Sequence, residues 1–375
     1  MPSTEGRTGA EVQPAPQVHL EGHRAPVARS TGRPVSDRDL RVAVVGTGRM
    51  GANHAERIAG TTQRAIVSAV VDVDAERAGS AAAEAAARQQ VEPRVFGTIE
   101  DLLAADCADA VVLVTPGFLH EAALLQLIDA GLPVLCEKPL TPDADSAVRV
   151  LRAEERSGRR MIQVGFHRRF DTEYRQLKQV IDSGQLGRLL MLHFQHRNPA
   201  APPGFTEEML INDSVVHEFD AVRFFTGEEV TSVQVRTGRS TSKGTMRDPQ
   251  LVLLETSSGL LADVEIFMNS GLGYQVEVQA VFENGVVSAG YATGLQVTAA
   301  QQEARAISQN FYDRFEAAYD VEVQQWVDSV RAGSIPGPTA WDGYATAVCC
   351  EAGVASQRSG RIEPVRLVEQ PAFYQ

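Results

Sequence analysis

Short apolar runs alternate with helix-compatible stretches through the first part of the chain. The runs at 41–45 and 65–71 are rich in Val, Ile and Ala, as in strands covered on both sheet faces. Further runs of this kind lie at 110–114 and 133–136. Repeated strand–helix units with short connections indicate a doubly wound parallel sheet. The pattern therefore predicts an N-terminal α/β domain.

The pattern changes near residue 161. Extended, often alternating segments follow, separated by turns that carry Gly, Asn and Asp, as in an antiparallel sheet. Helical patterns lie near 171–183, 311–330 and 339–357. We predict a second, α+β domain with a large, mostly antiparallel open sheet. Its strands are expected at 189–196, 230–235, 251–255, 260–267, 274–282 and 285–288.

These patterns divide the chain into three parts. Residues 1–38 are rich in Pro, Gly, Arg, Ser and Thr without hydrophobic periodicity, which predicts a disordered extension; an arm that packs on a partner subunit is the alternative. Residues 39–160 are expected to form the first domain. Residues 161–375 are expected to bind substrate and to form subunit contacts, with the C-terminal helix and tail packing back on the first domain.

The composition argues against some classes of binding partner. The 375 residues carry 35 basic and 48 acidic side chains, a formal net charge of −13, which disfavours nucleic acid. No apolar run approaches the roughly 18–20 residues that span a bilayer, so we expect no membrane insertion. The four cysteines form no Cys-x-x-Cys pair, which fits a reducing cytoplasm.

A glycine-rich loop follows the first strand. Gly46-Thr47-Gly48-Arg49-Met50-Gly51 has a strand before it and a helix after it, the context that a dinucleotide-binding loop requires. The first glycine permits the tight turn, the second lets the backbone approach a pyrophosphate, and the third lets helix and strand pack closely. The helix N-terminus then faces the anion. We therefore predict a Rossmann domain.

Asp72 ends the second strand, 21 residues after Gly51. A dinucleotide fold places there the acid that binds the ribose 2′-hydroxyl. A carboxylate would repel a 2′-phosphate, so the sequence favours NAD over NADP, although Arg77 is near enough to weaken the preference. The alternative is that Asp72 is a turn residue.

Polar residues at other strand ends point to the same crevice. Ligands bind such sheets at the carboxyl ends of the strands. Thr115, Pro116, Glu137 and Lys138 lie at such ends. A lysine there points into the cofactor crevice rather than into solvent.

The stretch that carries Asp213, His217 and Asp220 is the main candidate for chemistry. In a helix Asp213 and His217 share one face, and Asp220 lies near it. A carboxylate beside an imidazole makes histidine a useful base. The alternatives are a helix start, a surface ion pair or half of a metal site.

Together these segments resemble the Gfo/Idh/MocA oxidoreductases, from Leu40 to the C-terminus. The glycine loop, Thr115-Pro116, Glu137-Lys138-Pro139 and Asp213-x-x-x-His217 carry the resemblance. Gly165-Phe166-His167-Arg168-Arg169-Phe170-Asp171, His196-Arg197-Asn198-Pro199, Ala318-Tyr319-Asp320-Val321-Glu322 and the stretch 337–344 resemble the inositol dehydrogenases of that family, which often carry methionine where His167 stands.

The resemblance implies roles for individual residues. Lys138, Asp213 and His217 match the catalytic positions, with His217 taking a proton, Asp213 orienting it, and Lys138 stabilising the alkoxide. The expected substrate contacts are Lys138, Arg168, His196, Asp213, His217, Asp220 and Tyr274. The expected NAD contacts are Gly46, Gly48, Arg49, Met50, Gly51, Asp72, Thr115, Pro116, His120, Glu137 and Lys138.

The implied activity is NAD-dependent oxidation of a ring hydroxyl of myo-inositol to 2-keto-myo-inositol, without a metal. Another cyclitol, such as scyllo-inositol or an aminocyclitol precursor, or a pyranose is the alternative substrate. A non-catalytic NAD-binding sensor is the alternative outside enzymes. The resemblance and the open sheet also predict a homotetramer assembled through the C-terminal sheet.

Overall fold

The computed structural model describes residues 38–290, 296–299 and 301–375. Apart from residue 38, the predicted extension lies outside the described residues. The first sheet has six strands: β1 Leu40–Val45, β2 Ala65–Val71, β3 Arg94–Phe96, β4 Ala110–Leu113, β5 Val134–Cys136 and β6 Ile162–Val164. Its helices are α1 Arg49–Gly60, α2 Ala75–Gln89, α3 Ile99–Ala104, α4 His120–Asp129 and α5 Ala144–Ser157.

The strands run parallel in the order β3-β2-β1-β4-β5-β6. The predicted doubly wound parallel sheet is confirmed. The order reverses between β1 and β4, and a crevice opens at such a switch point beyond the carboxyl ends of the strands. The sheet also shows that β6 lies beyond the predicted boundary at residue 160. The sequence pattern predicts a strand at 160–164, and the structure has it at Ile162–Val164, where it forms the last strand of the first sheet.

Side chains fix where the helices of this domain begin. Asp74 and Thr98 accept hydrogen bonds from backbone N–H groups in the first turns of α2 and α3. Thr141 and Pro142 suit the N-cap and first position of α5 by sequence, but that expectation is wrong. The N-cap is Asp143, whose carboxylate accepts from the backbone N–H of Ser146 at 2.8 Å.

The second sheet has the order β12-β11-β7-β10-β9-β8-β15 and is antiparallel except where β7 pairs with β10. This architecture is as predicted. Its strands are β7 Leu189–Arg197, β8 Val230–Thr237, β9 Gln250–Thr256, β10 Leu261–Phe267, β11 Gln275–Phe282, β12 Gly285–Ala289 and β15 Glu363–Pro364, with a separate hairpin of β13 Gln296–Ala299 and β14 Gln302–Arg305. The helices are α6 Thr172–Ser183, α7 Val216–Thr226, α8 Phe311–Ala332 and α9 Ala340–Ser359.

The seven-stranded sheet has one covered face and one open face. Alternate residues of β9 are buried, and Val252 and Leu254 share a core with Phe219 of α7 and Cys349 of α9. The residues between them point the other way: Leu251 is 40% exposed and Leu253 is 38% exposed. Period-two alternation of this kind is what one solvated sheet face requires.

The C-terminal elements pack back on the first domain. Trp326 and Val327 of α8 share a core with Val42 and Val44 of β1. At the chain end, the hydroxyl of Tyr374 donates to the buried Glu154 at 2.6 Å. These contacts hold the C-terminal elements against the first domain, as predicted.

Candidate active site

The glycine loop has the geometry that a bound dinucleotide requires. Gly46 has φ +91°, which favours glycine, and a Cβ there would lie 2.8 Å from the backbone of residues 114 and 115. A Cβ on Gly51 would lie 1.8 Å from the carbonyl oxygen of Gly46. At Gly48, the N-cap of α1, a Cβ would meet no atom within 4 Å. The loop is therefore tightly packed behind and open at the helix N-terminus, as a pyrophosphate site must be.

Asp72 lies at the end of β2 beside this loop. Its carboxylate accepts from the backbone N–H of Thr47 at 2.7 Å and from Nη2 of Arg77 at 2.7 Å. Burial alone would raise the pKa of Asp72, but the hydrogen bonds from Arg77, Asp74 and Thr47 outweigh it and lower that pKa. The group is therefore a fixed negative charge where the adenosine ribose of a dinucleotide would lie.

His120 does not face the crevice, contrary to expectation. The ring is 1% exposed, with Nδ1 2.8 Å from the carbonyl oxygen of Pro139 and Nε2 2.7 Å from that of Thr115. The imidazole thus ties together the segments that follow β4 and β5. It therefore holds the Thr115 and Lys138 regions in place.

A cavity of about 240 Å³ lies between the glycine loop and the second domain. Elements from both domains contribute to it, so the sequence-distant motifs meet there. Of the predicted residues, those that line it are Arg49, Met50, Glu137, Lys138, His196, Asp213, His217 and Tyr274.

Lys138 and Asp213 form an ion pair in this cavity. Nζ of Lys138 donates to Oδ1 of Asp213 at 2.8 Å and to the Asp213 carbonyl oxygen at 2.9 Å. The charge of Lys138 lowers the pKa of Asp213, which burial opposes. An ammonium has three donors, so one remains for a substrate oxygen.

His217 lines the same cavity but is not hydrogen-bonded to Asp213. Its Nδ1 is buried without a protein partner, and the side chain is 8% exposed. Asp213 lies in a π-helical turn, Leu210–Val215, that precedes α7, and its carboxylate pairs with Lys138 instead. The structure therefore corrects the expectation that Asp213 orients His217. A lysine ammonium is the stronger partner because it is charged, whereas the imidazole is held neutral.

That neutrality has a physical cause. Burial lowers the pKa of His217 well below its ordinary value, and the positive charges of Arg168 and Lys138 lower it further. A neutral imidazole near pH 7 is ready to accept a proton.

Arg168 supports the cavity from behind rather than lining it. The guanidinium is fully buried and pairs with Glu218, and its Nη2 lies 3.3 Å from Nδ1 of His196. Glu218 also approaches Nδ1 of His196, with Oε2 at 3.2 Å. Burial would raise the pKa of Glu218, but Arg168 and His196 lower it to about 2. These contacts engage both terminal nitrogens of the Arg168 guanidinium within the protein, and they fix the ring of His196.

Asp220 also lies outside the cavity. It is 1% exposed and accepts from Nε of Arg169 at 2.9 Å. Arg169 in turn binds Asp342 at 2.9 Å. Asp220 is therefore part of a buried charge network with Arg169 and Asp342.

Sequence reasoning missed several side chains that line the cavity. Asn198 and Tyr319 lie in segments quoted for the family resemblance, which gave no sign of the direction in which each residue points. His167 was noted only as a departure from the family pattern. The other unanticipated lining residues are Pro202, Phe205, Ser214, Met268 and Phe311.

Two further properties concern the described residues alone. None of their His, Cys, Asp and Glu side chains are grouped in threes or more so that they could hold a metal ion. None of their helices is both long enough and apolar enough to cross a membrane.

Comparison with known proteins identifies the family. The model of the Gfo/Idh/MocA oxidoreductase family, NAD-binding Rossmann fold, matches residues 40–166, and that of the family's C-terminal domain matches residues 174–288. An inositol 2-dehydrogenase of Arthrobacter sp. (strain FB24) is 55% identical over 337 residues, which cover 89% of this chain and 98% of the relative. One from Corynebacterium glutamicum (strain ATCC 13032) is 44% identical over 340 residues, or 90% of this chain and 99% of that relative.

Comparison with solved structures supports the same family. Myo-inositol dehydrogenase from Lactobacillus casei, in complex with NAD(H) and myo-inositol, superposes with a TM-score of 0.85 at 32% identity, over 90% of this chain and 100% of the other. The scyllo-inositol dehydrogenase of that organism, with NAD(H) and scyllo-inositol, gives 0.80 at 26% identity, over 88% and 99%. The predicted family and its NAD-binding domain are confirmed. The chain belongs to the Gfo/Idh/MocA oxidoreductase family.

Proposed function

We propose that this protein is an NAD-dependent inositol 2-dehydrogenase, which oxidises one ring hydroxyl of myo-inositol to give 2-keto-myo-inositol. The main support for the proposal is that Lys138 and His217 line the same cavity beside the glycine loop. The names of the relatives and of the superposed Lactobacillus casei complex supply the substrate.

His217 is the general base of the proposed reaction. The neutral imidazole accepts the proton of the hydroxyl as the C–H bond of the same carbon breaks. This step is worth about 10²–10⁴-fold in rate. When NAD is bound, it accepts the hydride that leaves the carbon.

Lys138 stabilises the oxygen as it becomes an alkoxide. Its remaining N–H donates to that oxygen, and the ion pair with Asp213 fixes the ammonium at 2.8 Å. A preorganised charge of this kind acts most strongly where negative charge develops. Asp213 is thus a positioning partner of Lys138 in the proposed mechanism.

The remaining lining suits a neutral polyhydroxylated ring. His196, Asn198 and Tyr274 bring nitrogen and oxygen atoms to the cavity. A site with many such groups rejects analogues that leave them unpaired. Burial raises the pKa of Tyr274 to about 12, so its hydroxyl remains a donor at neutral pH.

A substrate panel tests the proposed function. Purified protein with saturating NAD is given myo-inositol, scyllo-inositol, an aminocyclitol and glucose, and NADH formation is followed. The proposal requires the highest kcat/KM with myo-inositol and 2-keto-myo-inositol as product. A higher value with another compound would establish the alternative substrate, and no turnover with any of them would favour the sensor.

We also propose a homotetramer in the cytoplasm. The open sheet face with Leu251, Leu253 and Leu261 supports the assembly, because exposed apolar sheet is otherwise a liability. The four unpaired cysteines support a reducing compartment. Sedimentation of the wild type should give four chains, and Leu253→Lys should give smaller species. A wild-type monomer would contradict the assembly.

A further inference from the structure

His167 lines the cavity without a hydrogen-bond partner from the protein at either ring nitrogen. The side chain is 3% exposed and lies in the short 3-10 helix His167–Phe170 that follows β6. Leaving a buried polar atom unpaired costs about 1–3 kcal/mol. Native structures contain few such atoms, and each one requires an explanation. One hydroxyl of a ligand in the cavity would supply a partner for one of the two nitrogens.

Three aromatic neighbours fix the orientation of the His167 ring. Tyr319 stacks on it with ring centroids 4.4 Å apart and an interplanar angle of 23°. Phe315 and His217 meet it edge-on, each with centroids 4.9 Å away. An imidazole held in this way is preorganised, so a contact with a ligand costs little conformational entropy.

The surroundings also define the ligand chemistry. Burial lowers the pKa of His167 well below its ordinary value, and the charges of Arg168, Lys138 and Arg314 lower it further. A neutral imidazole offers one donor and one acceptor. A hydroxyl group matches both, whereas a carboxylate or phosphate only accepts.

We infer that His167 is a substrate-binding residue that hydrogen-bonds a hydroxyl next to the one oxidised, and that this contact selects among inositol isomers. The inference rests on the proposed function of the same cavity. The distance from His217 identifies which hydroxyl His167 binds. The centroids of the two imidazole rings are 4.9 Å apart, so two neighbouring hydroxyls of one cyclitol ring can each reach one imidazole. Isomers that differ in the orientation of the second hydroxyl would lose the contact.

Substitution of His167 combined with deoxy-substrates tests the inference. His167→Met keeps a side chain of similar bulk and removes both nitrogens. Loss of one neutral hydrogen bond should raise the KM for myo-inositol by about 5–10-fold. The affinity for NAD should not change, and kcat should change less than KM.

Deoxy-inositols, each lacking one hydroxyl, then locate the contact. The wild type should lose the same factor when one particular hydroxyl is missing, and His167→Met should be indifferent to that hydroxyl. This coupling between a protein group and a ligand group is a double-mutant cycle, which separates direct contact from general damage to the fold.

Two conservative variants provide the matched controls. The amide nitrogen of His167→Asn lies near the position of Nδ1, and that of His167→Gln lies near Nε2. One of the two should restore the KM to near the wild-type value, and this identifies the nitrogen in contact. These variants also keep the test decisive if His167→Met does not fold, because the inference requires the two to differ in KM.

The results of these experiments distinguish the role of His167 from the proposed dehydrogenase activity. Unchanged KM in His167→Met, or the same response to every deoxy-inositol as in the wild type, would overturn the role of His167 while the enzyme remained an inositol dehydrogenase. A wild type that reduced NAD with no cyclitol would overturn the proposed function and the inference together.

Discussion

The charge of Lys138 acts on two neighbours in the cavity. It lowers the pKa of Asp213, and together with burial and Arg168 it lowers the pKa of His217. The ammonium therefore favours both the ionised carboxylate of Asp213 and the neutral imidazole of His217. In the proposed reaction this is the state in which a base and an alkoxide-stabilising group can act together.

Replacing Lys138 with Met should show both effects. We expect kcat to fall by about 10²–10³-fold because the charge that stabilises the alkoxide is lost. The pKa of His217 should rise when the neighbouring positive charge is removed. Because the base must be neutral, the acid limb of the kcat/KM profile should move to higher pH. A limb that stayed in place would show that Lys138 does not act on the base.

Gly48 and Gly51 of the glycine loop differ in the space that surrounds their α-carbons. At Gly48 a Cβ would meet no atom within 4 Å and φ is −62°, so Gly48→Ala should leave the melting temperature unchanged. The methyl group would occupy the space of the pyrophosphate and weaken NAD binding by roughly tenfold, or about 1.4 kcal/mol.

Gly51→Ala is the matched comparison. Its Cβ would lie 1.8 Å from the carbonyl oxygen of Gly46. Forcing helix and loop apart should cost about 1–3 kcal/mol of stability. Thermal melts and NAD titrations of the two variants check both expectations. Equal NAD affinity in Gly48→Ala and the wild type would place the cofactor elsewhere.

Asp72 and Arg77, at and after the end of β2, are expected to determine the preference for NAD over NADP. Asp72 is a fixed negative charge, while Arg77 beside it is exposed at 48% of its side chain. Asp72→Ser should remove the repulsion of a 2′-phosphate and free Arg77 to pair with it, so the preference for NAD over NADP should fall roughly tenfold. The ratio of kcat/KM with the two cofactors measures this. An unchanged ratio would show that another residue sets the preference.

The sequence predicts the sheets of this protein better than it predicts where individual helices begin. The sequence pattern predicts both sheets. A strand buried on two faces is a continuous apolar run, and a strand buried on one face alternates apolar and polar residues. The N-cap of α5 could not be chosen from Thr141 and Asp143, since both are good capping residues. The strand expected at 160–164 lies at Ile162–Val164, but its pattern did not show that it belongs to the first sheet.

The candidate site shows the same limit. Lys138 comes just after a predicted strand, and His217 lies in a predicted helix, so the sequence pattern indicates where each side chain points. Both side chains line the cavity. Arg168 and Asp220 were expected there as well. They instead pair with Glu218 and Arg169, because the choice between a ligand and a buried ion pair depends on contacts between distant segments.

For the whole molecule, the buried histidines predict how stability depends on pH. Burial lowers the pKa of His120, His167 and His217 below the ordinary value of about 6.5. Below that pH the unfolded chain binds protons that the folded chain does not, so the free energy of unfolding must fall as pH falls. The loss approaches about 1.4 kcal/mol per pH unit for each such histidine.

Urea denaturation at several pH values between 7.5 and 5 measures this slope. His167→Met, which removes one of the three groups, should give a shallower slope over the same range. Stability that is constant or rises toward pH 5 would show that these imidazoles are protonated in the folded protein.

In the proposed oxidation of a cyclitol, His217 accepts the proton of the hydroxyl group. This role is tested most directly by comparing wild type and His217→Ala for kcat with myo-inositol and for NAD affinity by titration. We expect kcat to fall by about 10²–10⁴-fold in His217→Ala, with the affinity for NAD unchanged. Turnover by His217→Ala at the wild-type rate would contradict this role.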